Sequence, residues 1–414
     1  MRRGRRVPVF LSALDGGRLR GAAVLIGQKI TVLGAGIAGL AAARALALRG
    51  ARVTVLEQAE EIREVGAGLQ ISPNGAVVLE ALGLGEALRA RTIRGQAVAL
   101  RDYRRGRVVS HLSLPTDGAG YHFAHRADLI DILAEGAREA GVKIRLLQKV
   151  SEIDLTDTCA RVTTAQGAEF GASLVIGADG LHSRLRHVLN GAAEPFFTGQ
   201  VAWRATVPAP ADMPRVATVY MGPGRHLVCY PLRGGTMANI VAVQEQAEWR
   251  AESWTQEDDP ANLRAAFSEF APAVQDLLAR VETVNQWGLF RHPVAPHWVG
   301  DRAALIGDAA HPTLPFMAQG ANMALEDAWT LTSLLAQHPE DPATALRAYQ
   351  AARKDRCTRI VEAASKNARN YHLTSTPVRM AAHTVLGLAS RIAPKQVLGR
   401  FDWIYAKDVT RDFP

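Results

Sequence analysis

The sequence predicts an α/β protein whose core domain is interrupted by a β-rich insertion and followed by a helical C-terminal segment. Three observations carry this reading: a strand, turn, helix and strand in succession over residues 29–56, β-rich runs separated by Gly-Pro and Gly-Gly turns from about Phe196 to Glu245, and a mostly helical pattern from about Asn322 onward. A chain of 414 residues has material for two to three domains. With 48% hydrophobic and 21% charged residues and no run of 18 uncharged apolar residues, it is expected to be globular and to insert no helix into a membrane.

Residues 1–28 hold six arginines against Asp15 and carry +5 of the net +8, leaving about +3 for the body and no basic stripe for nucleic acid. Asp15 and Arg18 break the apolar stretch that a signal peptide needs, so this segment is expected to be a disordered or misassigned extension, with an organelle-targeting arm as the alternative. Cys159, Cys229 and Cys357 lie far apart without a CxxC, which favours a reduced, cytoplasmic chain. His122 and His125 have HxxH spacing but no evident third ligand, and no metal site is expected.

Lys29–Leu33 reads as a strand, Ile37–Arg49 as an alanine-rich helix and Arg52–Leu56 as a second strand. Between the first two sits Gly34-Ala35-Gly36-Ile37-Ala38-Gly39, and Glu57 follows Gly34 by 23 residues. A pyrophosphate requires close backbone approach and a helix N-terminus, and a ribose requires a carboxylate at the next strand's end. This βαβ unit therefore predicts dinucleotide binding. Gly66–Asn74 reads as a glycine-rich loop, Asp128–Ala140 as a helix preceded by His125-Arg126, and Leu174–Ile176 as a buried strand ending in Gly177-Ala178-Asp179-Gly180. Within Arg302–Asp327 an apolar strand ends in Gly307-Asp308, and Gly320-Ala321-Asn322 starts a helix. One carboxylate for a polyol hydroxyl and one helix end for an anionic ring suit a flavin.

With these motifs in place, the chain resembles the class A FAD-dependent aromatic hydroxylases, the single-component flavoprotein monooxygenases. The resemblance rests on Gly34 to Gly39 with Glu57, on Asp179-Gly180-Leu181-His182-Ser183-Arg184-Leu185-Arg186, and on Gly307-Asp308 with its loop, in order over about residues 29–330. It implies a Rossmann-like FAD-binding domain with an inserted β-rich substrate domain and a C-terminal helical segment. The corresponding boundaries are 1–28 for the extension, 29–181 and 287–345 for the two parts of the FAD-binding domain, 182–286 for the substrate domain and 346–414 for the helical region. FAD contacts are expected from Gly34, Gly36, Ile37, Ala38, Gly39, Glu57, Arg126, Asp179, Asp308, Gly320, Ala321 and Asn322. Asp179 also has the simpler reading of an Asp-Gly turn. NADH or NADPH is implied as a transient co-substrate, with O2 and a small aromatic ring as the other partners.

Gly66–Asn74, Gly222-Pro223-Gly224-Arg225-His226 with Tyr230-Pro231, and Pro315–Gly320 are similar to salicylate hydroxylase, 3-hydroxybenzoate 6-hydroxylase and 6-hydroxynicotinate 3-monooxygenase. The leading expectation is a salicylate-like phenolic carboxylate, for which attack at the carboxylated carbon would release CO2 and attack elsewhere would not; the other two substrates are alternatives. His226 and Tyr230 are four apart on a predicted strand and so share a face with Val228. His226 is the expected general base for the phenol, and Tyr230 a partner for its oxygen or for the carboxylate. The simpler reading of both is a satisfied core pair. Gln319 is expected to orient the substrate or reactive oxygen, or else to serve as a loop amide. His311 is expected to be structural, and Arg353, Lys354, Arg356 and Arg359 to form a solvated helix side. An uncoupled NAD(P)H oxidase or flavin reductase is the alternative enzyme class, and a non-catalytic FAD-binding regulator the alternative outside enzymes. A plain NAD dehydrogenase is disfavoured by the Gly307-Asp308 region.

Overall fold

The computed structural model describes residues 24–62, 67–156, 158–248 and 257–414. Lys29–Leu33 is the hub of a six-stranded sheet, flanked in parallel by Leu174–Gly177 on one side and Arg52–Leu56 on the other. Ala303–Leu305 extends it beyond Leu174–Gly177, so the chain returns to this sheet after the insertion. A parallel sheet needs crossovers that cover its faces. Ile37–Leu48, almost wholly buried, supplies one, packing against the helices Arg126–Glu139 and Gly320–Gln337.

The second layer is an eight-stranded sheet in the order 257–258, 284–291, 196–208, 237–245, 225–232, 216–222, 97–102 and 108–113. Its strands reach outside the expected 182–286 insertion. Ala97–Asp102 pairs in parallel with Val216–Gly222, and Val284–Arg291 pairs with Phe196–Pro208 across the expected boundary. The reason is burial by alternation: Val201, Trp203, Ala205 and Val207 pack on the helices Pro260–Ala266 and Pro272–Leu278, while Ala202 and Arg204 turn to the opposite face. The loop expected at 66–74 contains a strand, Gly68–Ile71, before the helix Pro73–Ala81, and Gly66 lies outside the described residues.

The expected extension reaches too far. Leu25 is fully buried and donates its N–H to the Arg49 carbonyl at 3.0 Å, and Gln28 bonds the Pro339 carbonyl. Residues 24–28 therefore belong to the folded body, whereas 1–23 lie outside the described residues. No helix among the described residues is long and apolar enough to cross a membrane.

The basic helix side also differs from expectation. Arg353 is only 1% exposed. It donates from Nε to Asp327 at 2.8 Å and from Nη1 to Glu326 at 2.5 Å, and Arg356 donates to Glu326 at 2.7 Å. Asp327 also accepts from the Gly307 backbone N–H at 3.0 Å and pairs with His311, while Glu326 accepts from Asn74. Burial alone would raise both carboxylates, yet His311 and Arg353 hold Asp327, and Arg353 and Arg356 hold Glu326, below the usual carboxylate range. A helical period read from sequence places arginines on a face but does not say whether acids face them from another helix. Replacing Arg353 with Met leaves buried carboxylates short of their counter-ion, and a loss of about 3–5 kcal/mol is expected in equilibrium urea unfolding.

Candidate active site

One continuous cavity of about 1470 Å³ runs from the glycine turn of the parallel sheet to the inner face of the eight-stranded sheet. At its first end, Gly34 has φ +96°, and a Cβ there would lie 2.5 Å from the Ala178 carbonyl oxygen. A Cβ on Gly39 would fall on the Gly34 carbonyl oxygen. The turn can close and leave its backbone open to a ligand only with glycine at both positions. Gly34, Gly36, Ile37 and Ala38 line the cavity, and Gly39 supports them from behind. Glu57 accepts from the Ala35 N–H at 2.7 Å and the Ala59 N–H at 2.9 Å, which holds its carboxylate at the cavity wall.

Further along, Arg126 and Asp308 face the cavity and influence one another electrostatically. Burial, opposed by Asp308, lowers Arg126 to about 10, and burial raises Asp308. Gly320 and Ala321 present the start of an 18-residue helix to the same space, where the first-turn N–H groups have no intrahelical acceptor. Asn322 does not face the cavity: its amide accepts from Ser72 N–H and donates to the Gln70 and Ala318 carbonyls. Asp179 lines the cavity, but its oxygens are engaged by the Ser183 hydroxyl at 2.6 Å and the Arg184 N–H at 2.8 Å. Ser183 in turn caps the Arg186 N–H, and the Arg186 guanidinium reaches the Ala309 and Pro293 carbonyls. The Asp179–Arg186 motif thus clamps the turn to the loop after Asp308. The glycine cradle, the carboxylates Glu57 and Asp308, and the helix end have the chemistry that the pyrophosphate, ribose and ribityl groups of FAD would require.

At the other end, His226, Val228 and Tyr230 on the strand Arg225–Leu232 all line the wall. His226 is 1% exposed, with Phe316 and Tyr371 rings 5.3 and 5.2 Å away. Its Nδ1 is 2.7 Å from Nε2 of His372, and burial together with His372 holds it well below the usual imidazole range. Tyr230 stacks beside Phe123 at 5.1 Å, and burial raises its hydroxyl well above the usual phenol range, so it is a hydrogen-bonding group and not a base.

Gln319 does not line the cavity, contrary to the expected role of orienting substrate or reactive oxygen and in keeping with its alternative as a loop amide. The left-handed backbone at Ala318, φ +53°, turns the chain so that Gln319 is buried behind the cavity wall. Its amide donates to the Ser72 hydroxyl at 2.9 Å and accepts from Asn74 at 3.1 Å, which makes it a brace between two loops. His311, Asp327 and Cys357 bring potential metal-ligand atoms within 4.8 Å of one another. The Arg353 guanidinium already bonds both Asp327 and Cys357, so a cation there would meet a fixed positive charge.

Sequence reasoning missed Arg204, His372 and Glu245. Arg204 lines the cavity with its Cζ 5.2 Å from the Trp287 ring centroid, and its Nε has no hydrogen-bond partner among the described residues. The available signal was a cation among the apolar residues of Val201–Val207, on the opposite parity to Trp203. His372 follows the end of a 30-residue helix, where no local pattern marks it.

The family described as FAD binding domain matches residues 28–364. A 3-amino-4-hydroxybenzoate 2-monooxygenase, PtmB3 of Streptomyces platensis, is 34% identical over 91% of this chain and 95% of its own length. The 3-hydroxybenzoate 6-hydroxylase of Klebsiella oxytoca is 36% identical over 83% of this chain and 89% of its own. Among solved structures, a variant of Klebsiella pneumoniae HpxO complexed with FAD superimposes with a TM-score of 0.80 at 28% identity, covering 91% of this chain and 98% of that one. The chain belongs to the class A FAD-dependent aromatic hydroxylases. It is a FAD-dependent aromatic-ring monooxygenase. Gly39→Ala is expected to yield protein that emerges from gel filtration without flavin, checked by its visible absorbance.

Proposed function

We propose that this monooxygenase hydroxylates a phenolic aromatic carboxylate of the hydroxybenzoate type, with His226 as general base. The observation that carries the reading is one pocket wall holding a buried imidazole, a buried tyrosine hydroxyl and a guanidinium whose Nε has no hydrogen-bond partner among the described residues: His226, Tyr230 and Arg204. Hydroxylation by an electrophilic oxygen requires an electron-rich ring, and a phenolate is far richer than a phenol. Bound FAD, with NADH or NADPH as reductant and O2 as oxidant, would supply that electrophilic oxygen.

The chain's own residues then have separate tasks. His226 accepts the phenol proton at Nε2, since Nδ1 is committed to His372. Tyr230 donates to the substrate's oxygen. Arg204 balances the carboxylate in a wall where an unpaired anion would be costly. Val228, Leu314 and Phe316 supply apolar lining that keeps water from the reacting centre. Gly34–Gly39, Glu57, Arg126, Asp308 and the helix end at Gly320 would hold the dinucleotide.

The curated relatives favour ring hydroxylation of a 3-hydroxybenzoate or 3-amino-4-hydroxybenzoate that keeps its carboxylate. A salicylate-like, decarboxylating substrate is the second reading, because the same cation and base also suit a carboxylate beside the phenol. The deciding assay follows NADH oxidation by FAD-loaded enzyme with each of these rings and 6-hydroxynicotinate, quantifying product, CO2 and H2O2. Product matching NADH consumed supports the reading; H2O2 matching NADH with every ring sinks it in favour of an oxidase. In this assay His226→Asn is expected to lower hydroxylation by about 10²- to 10⁴-fold while the flavin spectrum stays normal. Arg204→Met is expected to raise KM for the carboxylated ring by about 10- to 100-fold, the worth of a charged hydrogen bond. The same variant should leave KM for the parent phenol nearly unchanged.

A further inference from the structure

The pocket histidine begins a chain of three titratable groups. His226 Nδ1 lies 2.7 Å from His372 Nε2, and His372 Nδ1 lies 3.0 Å from Glu245 Oε1. The first two side chains are buried, whereas the Glu245 side chain is 49% exposed. The chain thus runs from the cavity wall to water. Backbone bonds fix its spacing: the Gly224 N–H donates to the His372 carbonyl at 3.1 Å, and the Glu245 N–H donates to the Gly224 carbonyl at 2.8 Å. The turn at Gly224, φ +65°, therefore ties the residue after the long C-terminal helix to two strands of the substrate sheet.

The order of protons follows from what each atom can do. A carboxylate only accepts, so His372 carries hydrogen on Nδ1 and offers a lone pair at Nε2. That lone pair accepts from Nδ1–H of His226, which leaves His226 Nε2 bare. No described residue bonds that nitrogen. We infer that His372 and Glu245 form a relay that sets the base tautomer of His226 and carries the substrate's proton to solvent. The inference rests on the reading of His226 as the base and extends it to two residues outside the pocket.

The step balances without another reactant. The phenol O–H breaks and its proton bonds to His226 Nε2; Nδ1–H of His226 passes to His372 Nε2; Nδ1–H of His372 passes to Glu245, which yields it to water. Among the described residues, the groups packed on the pocket end of the chain are aromatic or have partners of their own. Phe316 and Tyr371 pack on His226, the Tyr371 hydroxyl bonds Asn367, and the neighbouring Arg225 directs its guanidinium to the Ala266 carbonyl. Burial holds both imidazoles below their usual range, although Glu245 opposes this at His372. Both histidines are therefore neutral at neutral pH and able to pass a proton. His372 and Glu245 act through His226 and are positioning residues.

The test mixes FAD-loaded enzyme with 3-hydroxybenzoate, 3-amino-4-hydroxybenzoate or salicylate, whichever is turned over, in weakly buffered solution containing a pH indicator. Wild-type enzyme is expected to release one proton per site rapidly. Glu245→Gln and His372→Asn should slow that release, and kcat with it, by about 10- to 100-fold, while KM stays within about twofold. Added imidazole buffer should restore the rate in both variants, which a merely structural lesion would not allow, and their kcat should rise with pH where wild type is flat. If His372→Asn loses flavin, Glu245→Gln at the exposed end decides. Release at the wild-type rate in Glu245→Gln, without buffer dependence, overturns the relay and leaves His226 as the base. Absence of release in wild type, or equal release in His226→Asn, overturns the base reading and the relay with it.

Discussion

The geometry of the site depends on a buried ionic knot around Glu326 and Asp327. These adjacent acids lie in the helix whose first residues, Gly320 and Ala321, face the cavity. Asp327 holds the Gly307 backbone and His311, Glu326 holds Asn74, and Arg353 spans both acids from the next helix. A buried charge with a missing partner is costly, and a complete set permits few alternative arrangements. The knot therefore locks together the loop bearing Asp308, the loop at Ser72–Asn74, the cavity-facing helix end and the long C-terminal helix. Gln319 and Asn322 reinforce it by bonding Ser72 and Gln70.

Two kinds of surface meet in the cavity that this frame holds open. One end is backbone and carboxylate: a glycine turn, Glu57, Asp308 and a helix start. The other is the inner face of an antiparallel sheet, where alternate residues offer His226, Val228, Tyr230 and Arg204 among apolar neighbours. A dinucleotide suits the first and a flat aromatic ring the second. The C-terminal helices cover the junction, with Leu386, Phe401 and Tyr405 in the cavity wall. Where the helix Pro342–Tyr371 ends, the Gly224 N–H bonds the His372 carbonyl, which sets this late residue beside a strand that begins at Arg225.

Local rules made the first end legible. The glycine spacing, the acid after the second strand, Gly307-Asp308 and the helix start at Gly320 are short-range patterns, each tied to a backbone conformation that only certain residues adopt. The shared face of His226 and Tyr230 was equally readable, because a strand repeats every two residues. Misreadings came where a side chain's partner is distant in sequence. Gln319 and Asn322 look like site residues until Ser72 and Gln70 are beside them. Arg353 looks solvated until Glu326 and Asp327 face it.

The sequence by itself determined the class of fold, the dinucleotide turn and the strand that carries the pocket histidine, since each follows from local periodicity or from backbone conformations that only glycine tolerates. Tertiary structure decided which polar groups face the cavity and which brace it. It drew strands 97–102 and 284–291 into the substrate sheet and turned Gln319 inward. It also set His372 and Glu245 behind His226. The physical reason is that a polar side chain's role is set by its hydrogen-bond partners and its access to water, and both come from segments that meet only when the chain is folded.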